Sequence, residues 1–383
     1  MQFVFPTGYL AFSPVTIINY QLNRWYSLGY ARLEDMQEAG RQVRTFDDWK
    51  SVMTGLAEEA EAEDRWINAA LYYRAAEFFV LPSDPDKERL YDRFSGLFYT
   101  RAFAGEPFER HRVPYAGTFL PTLRVPAMQG AAKGSIVIHG GFDSFIEEWY
   151  SCATFFASHG YDVILFEGPG QGAALKRSGL PLTHEWEKPV KAVLDHFRLE
   201  NVTLLGISMG GWLCFRAAAF EPRIRRVIAS SIAFDYMLIP PRPVRWLAGI
   251  LLRFPRLMDR LARLKMNANY QERWGISNLM YITKNPSPTG ASEVLLQFNG
   301  ANQHPELVKQ DVLILTGAED HFIPLKIHEL QVNALKNARS VTARIFTRET
   351  QAQNHCQIGN IGLALGVMLE WIEEKTAHGI TGP

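Results

Sequence analysis

Within this chain of 383 residues, the segment Gly206-Ile207-Ser208-Met209-Gly210 holds the clearest chemical content. A serine with glycines two positions away on either side suits a sharp strand-to-helix turn, because larger side chains there would collide while the hydroxyl stays exposed. The same turn sets Ser208 at a helix N-terminus, where free N–H groups and the helix dipole favour developing negative charge. A serine hydroxyl is too weak an acid to attack a carbonyl unaided. It needs a histidine base and an acid that orients the base, in the chain order serine, acid, histidine. The loop Gly317-Ala318-Glu319-Asp320-His321-Phe322-Ile323-Pro324 supplies two acids. Asp320 sits at its apex and is the predicted member, with Glu319, free to face solvent, as the alternative. Of ten histidines, His355 alone follows the last predicted strand in a polar loop before the final helix. Its neighbour Cys356 reads as packing. The oxyanion needs two backbone donors. Met209 follows the nucleophile, and the second donor falls to Phe142, with Gly141 as the neighbouring choice, in the loop His139-Gly140-Gly141-Phe142-Asp143-Ser144.

These groups must be held by a scaffold, and the chain changes character near residue 113. Before it, apolar residues recur at three- and four-residue spacing around Leu33, from Trp49 to Ala62 and from Arg65 to Val80, which predicts helices. After it, six β-branched runs alternate with helical segments. The runs are 134–139, 161–166, 201–207, 224–230, 311–316 and 341–347, all read as buried strands. Strand and helix taking turns predicts a mostly parallel, doubly wound α/β sheet covered on both faces. From Asp235 to about Gln310 no strand is legible, so this stretch reads as a helical insertion over the C-terminal edge of the sheet, where ligands of open α/β sheets bind. The predicted division is a helical N-terminal domain over 1–112, a core in two parts, 113–234 and 311–383, and a helical cap over 235–310.

Composition bounds the partners. Forty basic residues balance forty acidic ones, so no cationic surplus exists to neutralise a nucleic-acid backbone. Three cysteines, Cys152, Cys214 and Cys356, form no metal-ligand or disulfide pattern. No metal and no cofactor are expected, and the location is expected to be cytoplasmic. The N-terminal 20 residues are apolar but lack a basic region and are broken by Pro6, Gly8 and Pro14, which makes a poor signal peptide. No stretch reaches the roughly 18 uninterrupted apolar residues of a membrane span. The most apolar candidate, 244–252, carries Arg245 and is followed by Arg253 and Pro255, so no membrane partner is expected. A neutral or modestly polar small organic molecule is the substrate that fits.

Taken together, the His-Gly-Gly loop, Glu167-Gly168-Pro169-Gly170-Gln171-Gly172, the Ser208 turn, the Asp320 loop and His355 resemble the α/β-hydrolase superfamily from about residue 113 to 376. The loop from Gly140 to Trp149, the 167–172 turn and the upstream segment from Trp66 to Phe79 resemble a narrower group. It comprises 2,6-dihydroxypseudooxynicotine hydrolase, the Yg1-type polyketide-shortening hydrolases and the FrsA-like esterases. Glu167 departs from the Asp common at that position, a change expected to touch a structural turn more than chemistry.

That resemblance implies cleavage of a carbon–carbon bond next to a ketone, of retro-Claisen type, in an aryl or polyketide-like substrate. Ser208 would attack a carbonyl of a 1,3-dicarbonyl unit, and the departing carbanion would need a proton. Asp143, Glu147, Glu148 and Asp235 are the candidate accessory acids, each with a competing reading as a capping or surface carboxylate. An ester needs no such acid, so a carboxylesterase remains the alternative, and an acyltransferase or cyclase could use the same acyl-enzyme. A binding protein on the hydrolase fold is a third reading, opposed by the complete set of three catalytic positions. Aromatics such as Trp25, Trp49, Trp66, Tyr72, Phe78 and Phe79, with Trp246 and Trp274 in the insertion, are expected mostly in the core and partly along an apolar cleft. A homodimer through the helical domain is conceivable.

Overall fold

The computed structural model describes residues 2–380. Eight strands form one sheet among these residues. They are β1 (Glu109–Tyr115), β2 (Thr118–Val125), β3 (Ser135–His139), β4 (Asp162–Phe166), β5 (Val202–Ile207), β6 (Ile224–Ser230), β7 (Asp311–Gly317) and β8 (Ser340–Phe346). Their order is β1-β2-β4-β3-β5-β6-β7-β8. β1 and β2 pair antiparallel, β2 lies antiparallel to β4, and all pairings from β4 to β8 are parallel. The predicted mostly parallel sheet is present.

Two strands, β1 and β2, went unread in the sequence. Pro114 and Pro121 interrupt their pattern, and proline cannot donate to a ladder. The hairpin closes through Ala116 and Gly117, both in the left-handed region. A second correction concerns β8, read as buried. Thr342 to Ile345 are exposed, because β8 is the outer strand and pairs only with β7.

Alternation along the central strands divides the core into two clusters, one on each face. Ile136 and Ile138 join one cluster, while Val137 between them joins the other. The N-terminal helices α1 (Thr16–Ser27), α2 (Leu33–Gln42), α3 (Phe46–Ala62), α4 (Trp66–Phe78) and α5 (Asp86–Leu97) belong to the first cluster. α6 (Tyr150–Ser158) and the final helix join them there. On the opposite face pack α7 (Gly172–Lys176), α8 (Glu187–Phe197) and α9 (Gly210–Phe220). The insertion carries α10 (Arg242–Leu251), α11 (Pro255–Ala268), α12 (Tyr270–Thr283), α13 (Pro288–Leu295) and α14 (Gly300–Gln303) with no strand among them. The chain then ends through α15 (Lys326–Ala334) and α16 (Ile361–Ile380).

The N-terminal helices are embedded rather than laid on. In α4 every residue from Ala69 to Phe78 is buried, and Trp49 Nε1 on α3 donates to Ala75 O at 2.7 Å. α1 was not predicted. It buries Asn19, Gln21, Asn23 and Arg24 alongside Ile18, Leu22 and Trp25, so no polar face marks it in the sequence.

Candidate active site

β5 ends at Ile207 and α9 begins at Gly210, so Ser208 stands on the two-residue turn between them. Its φ is +60°, in the left-handed region that a non-glycine residue enters at a cost. The flanking glycines have a measurable reason. A Cβ on Gly206 would lie 2.0 Å from Gly210 O, and one on Gly210 would lie 2.7 Å from Gly140 O. The turn is tied down by Ser208 N donating to Ser230 O at 2.8 Å.

His355 enters from the loop after β8. Its Nε2 lies 2.9 Å from Ser208 Oγ, and its Nδ1 lies 2.6 Å from Asp320 Oδ2. The other oxygen of Asp320 accepts from the amides of Phe322 and Ile323, both at 2.9 Å, which fixes the carboxylate in the loop after β7. Burial on its own would raise the Asp320 carboxyl, but His355 and these amides outweigh it and hold the group below the ordinary carboxylate value. Burial would lower the His355 imidazole, and the Asp320 charge overrides that, so its pKa stands well above 6.5. Glu319 points outward and pairs with Arg348. The structure therefore brings together Ser208, Asp320 and His355 and leaves the alternative acid outside.

At the oxyanion position the backbone of Gly141 lies so close to the serine turn that a Cβ would meet Met209 N at 2.6 Å. The Gly141 amide already donates to Ser144 Oγ at 3.3 Å. Among the described residues, neither the Phe142 nor the Met209 amide donates to an acceptor of the chain. Gly141 is thus the close-approach residue and Phe142 carries the available N–H. Sequence reasoning missed what holds this loop. Gln171 Nε2 donates to Gly140 O at 2.9 Å and to Gly141 O at 3.0 Å, and Gln171 Oε1 accepts from Gly168 N at 3.0 Å.

Ser208 and His355 open into a pocket of about 290 Å³ with a mainly apolar lining. Three regions wall it: α1 through Tyr20, Gln21 and Arg24, the end of α4 through Phe78 and Phe79, and the insertion through Tyr236, Gln271 and Trp274. The Trp274 ring stacks on Phe78 with centroids 5.4 Å apart, and its Nε1 donates to Phe78 O at 2.9 Å. Tyr20 also reaches the catalytic loop, donating to His355 O at 3.3 Å. Gln21 Oε1 is buried with no hydrogen-bond partner among the described residues. Cys356, read as packing, lines the pocket beside His355, and its amide donates to Ser231 Oγ at 2.7 Å.

The accessory carboxylates separate cleanly. Asp143 alone lines the pocket with Ser208, and burial raises its carboxyl despite the opposing charge of Arg24. Glu148 is fully buried between Arg24 and Arg74. Glu147 faces a different hollow, accepting from Tyr99 OH at 2.6 Å. Asp235 caps the turn that follows, accepting from Met237 N at 2.8 Å. Glu167 accepts from the Ile146 and Ala173 amides and so ties two turns, and burial followed by Glu147 pushes it up to about 8. No group of three or more His, Cys, Asp or Glu side chains among the described residues could hold a metal.

Residues 136–344 match the family described as the alpha/beta hydrolase fold. A hydrolase of a Fusarium species, LUC6, is 29% identical over 78% of this chain and 74% of its own. The 20-hydroxy-prefusarin hydrolase FUS2 of Gibberella moniliformis is 30% identical over 73% of each chain. Among solved structures, 2,6-dihydroxy-pseudo-oxynicotine hydrolase is similar in fold, with a TM-score of 0.69 at 20% identity over 93% of this chain and 96% of that one.

Proposed function

The chain belongs to the α/β-hydrolase fold family, and on that premise we propose that it is a serine hydrolase that cleaves a carbon–carbon bond next to a ketone. The observation that carries the reading is His355 bridging Ser208 and Asp320 at 2.9 and 2.6 Å beside a mainly apolar pocket. His355 Nε2 takes the hydroxyl proton as Ser208 Oγ attacks the carbonyl. Asp320 keeps the imidazole in the tautomer that can accept that proton and stabilises the imidazolium. The Phe142 and Met209 amides receive the oxyanion. When the tetrahedral adduct collapses, the carbon–carbon bond breaks and its electron pair leaves as an enolate.

Asp143 is what favours this over ester cleavage. It is a carboxyl raised by burial in the same pocket as Ser208, suited to deliver a proton to the enolate carbon. The proton held by His355 then passes to the Asp143 carboxylate through solvent. His355 is freed to activate the water that hydrolyses the acyl-enzyme to an acid. An ester's alkoxide could take its proton from His355 directly and would leave Asp143 without a role.

Turnover of aryl 1,3-diketones beside matched aryl esters, read by product mass, tests the reading. The expected result is acid plus ketone from the diketone, with Ser208→Ala lowering the rate by about 10⁴-fold or more. Cleavage of the esters alone would replace it with a carboxylesterase, and products of acyl transfer to an added alcohol or amine would mark an acyltransferase. The FUS2 relative is a 20-hydroxy-prefusarin hydrolase, which supports a small organic molecule as substrate.

A further inference from the structure

α10 and α11 have an outer face that nothing among the described residues covers. Neither helix contains a buried residue. Along α11, Phe254, Leu257, Leu261 and Leu264 recur at three- and four-residue intervals, so they share one side, and all four are exposed. Met258, Ala262 and Met266, on the side toward the protein, are half-buried. On α10, Trp246 is 69% exposed, with Val244 and Leu247 beside it. An apolar row of this size on a water-soluble surface marks a contact site.

The charge on this hairpin indicates with what. Residues 242–268 hold seven cationic side chains and one acid, although basic and acidic residues balance over the chain as a whole. Arg242, Arg253, Arg256, Arg260, Arg263 and Lys265 are exposed, and among the described residues none of them forms an ion pair. The lone acid, Asp259, is occupied by the amide and hydroxyl of Thr289. Arg256, Arg260 and Arg263 repeat with the same period as the apolar stripe and so run alongside it. Exposed aromatic and leucine side chains flanked by unpaired arginines are the composition of a helix that lies in the plane of an anionic bilayer surface. A second copy of the chain seated on this face would set two such cationic patches against each other.

Position adds a purpose. The hairpin joins the rest of the insertion at Ile239 on one side and at Gln271 on the other, and both residues line the Ser208 pocket. We propose that α10 and α11 dock the protein on the surface of an anionic membrane and place the pocket beside the lipid interface. An apolar substrate then reaches Ser208 from the bilayer rather than from water. This last step rests on the proposed reaction, whereas docking does not. The proposed contact departs from the sequence-based expectation of no membrane partner, and it is distinct from spanning, for which no described helix is long and apolar enough.

Flotation of the full chain with vesicles of phosphatidylcholine alone, or with added phosphatidylglycerol, tests docking without reading turnover. The bound fraction is expected to rise at least about tenfold with the anionic lipid and to fall again in high salt. The triple variant R256E/R260E/R263E is expected to lose that binding while keeping the wild-type melting temperature. The difference in fluorescence between wild type and Trp246→Phe is expected to shift to the blue on anionic vesicles. Equal recovery with both vesicle types, recovery with neither, or self-association that the charge reversal abolishes in place of vesicle binding would overturn the proposal.

Discussion

Two helical additions wall the same pocket, and they are built in opposite ways. The N-terminal helices are locked to the sheet by buried charge. Glu148 accepts from Arg24 and Arg74, Arg74 pairs with Glu77, and Glu77 receives Lys87 Nζ at 2.9 Å. Burial opposes the Glu77 charge, but Lys87, Arg74 and Lys176 together draw its pKa down to about 2. Lys87, buried among other cations, is pushed down to about 8. The hairpin of α10 and α11, by contrast, has many charges and buries none of its residues. A buried ion network is costly to break and geometrically exacting, because any displacement strands a charge without its partner. The N-terminal wall is therefore fixed, whereas the hairpin, which supplies none of the pocket lining, is the part of the insertion anchored by no buried side chain.

The largest expected effect lies on the fixed side. Asp320→Asn should cut kcat by about 10⁴-fold, because the imidazole loses the acceptor that sets its tautomer. The same variant separates the charge effect by pH. The base works only as neutral imidazole, and Asp320 raises its pKa above 6.5. The acid limb of kcat/KM should thus lie above pH 6.5 in wild type and move to lower pH in the variant, where burial acts unopposed. A limb unmoved by Asp320→Asn would break the assignment.

Next comes Glu148→Ala, which leaves Arg24 and Arg74 buried without their shared partner. A loss of about 3–5 kcal/mol is expected in urea unfolding. A loss under about 1 kcal/mol would mean that the N-terminal wall is no more fixed than the other. Trp274→Ala, on the insertion side of the pocket, removes the ring stacked on Phe78 and should raise KM by about 3- to 10-fold without moving the pH limb. Smallest of all, Leu264→Ser on the exposed stripe should change unfolding free energy by less than about 0.5 kcal/mol.

The site was legible where chemistry restricts residue type. Ser208 needs Gly206 and Gly210 because backbone oxygens stand 2.0 and 2.7 Å from where their side chains would begin. Asp320 and His355 are recoverable from chain order because each follows its own strand. Pocket walls carry no such local mark. Gln21 and Arg24 sit in a helix buried on every side, so polarity does not repeat with a helical period. Gln171 stood within a motif seen only as a family resemblance, yet its part depends on two carbonyls about thirty residues upstream. Of the four accessory acids, only the folded chain distinguishes Asp143, since capping, ion pairing and pocket lining use the same carboxylate. β1 and β2 were hidden by prolines that a hairpin at the edge of the sheet tolerates.

The hydrogen bond from Tyr20 to the carbonyl of His355 joins positions 335 residues apart. During synthesis the N-terminal helices leave the ribosome well before the loop that bears His355. Contacts of such sequence separation form late and slowly, after shorter loops have closed. In refolding, helical signal should therefore return well before turnover does. The regain of activity would time the last long-range closure of the chain.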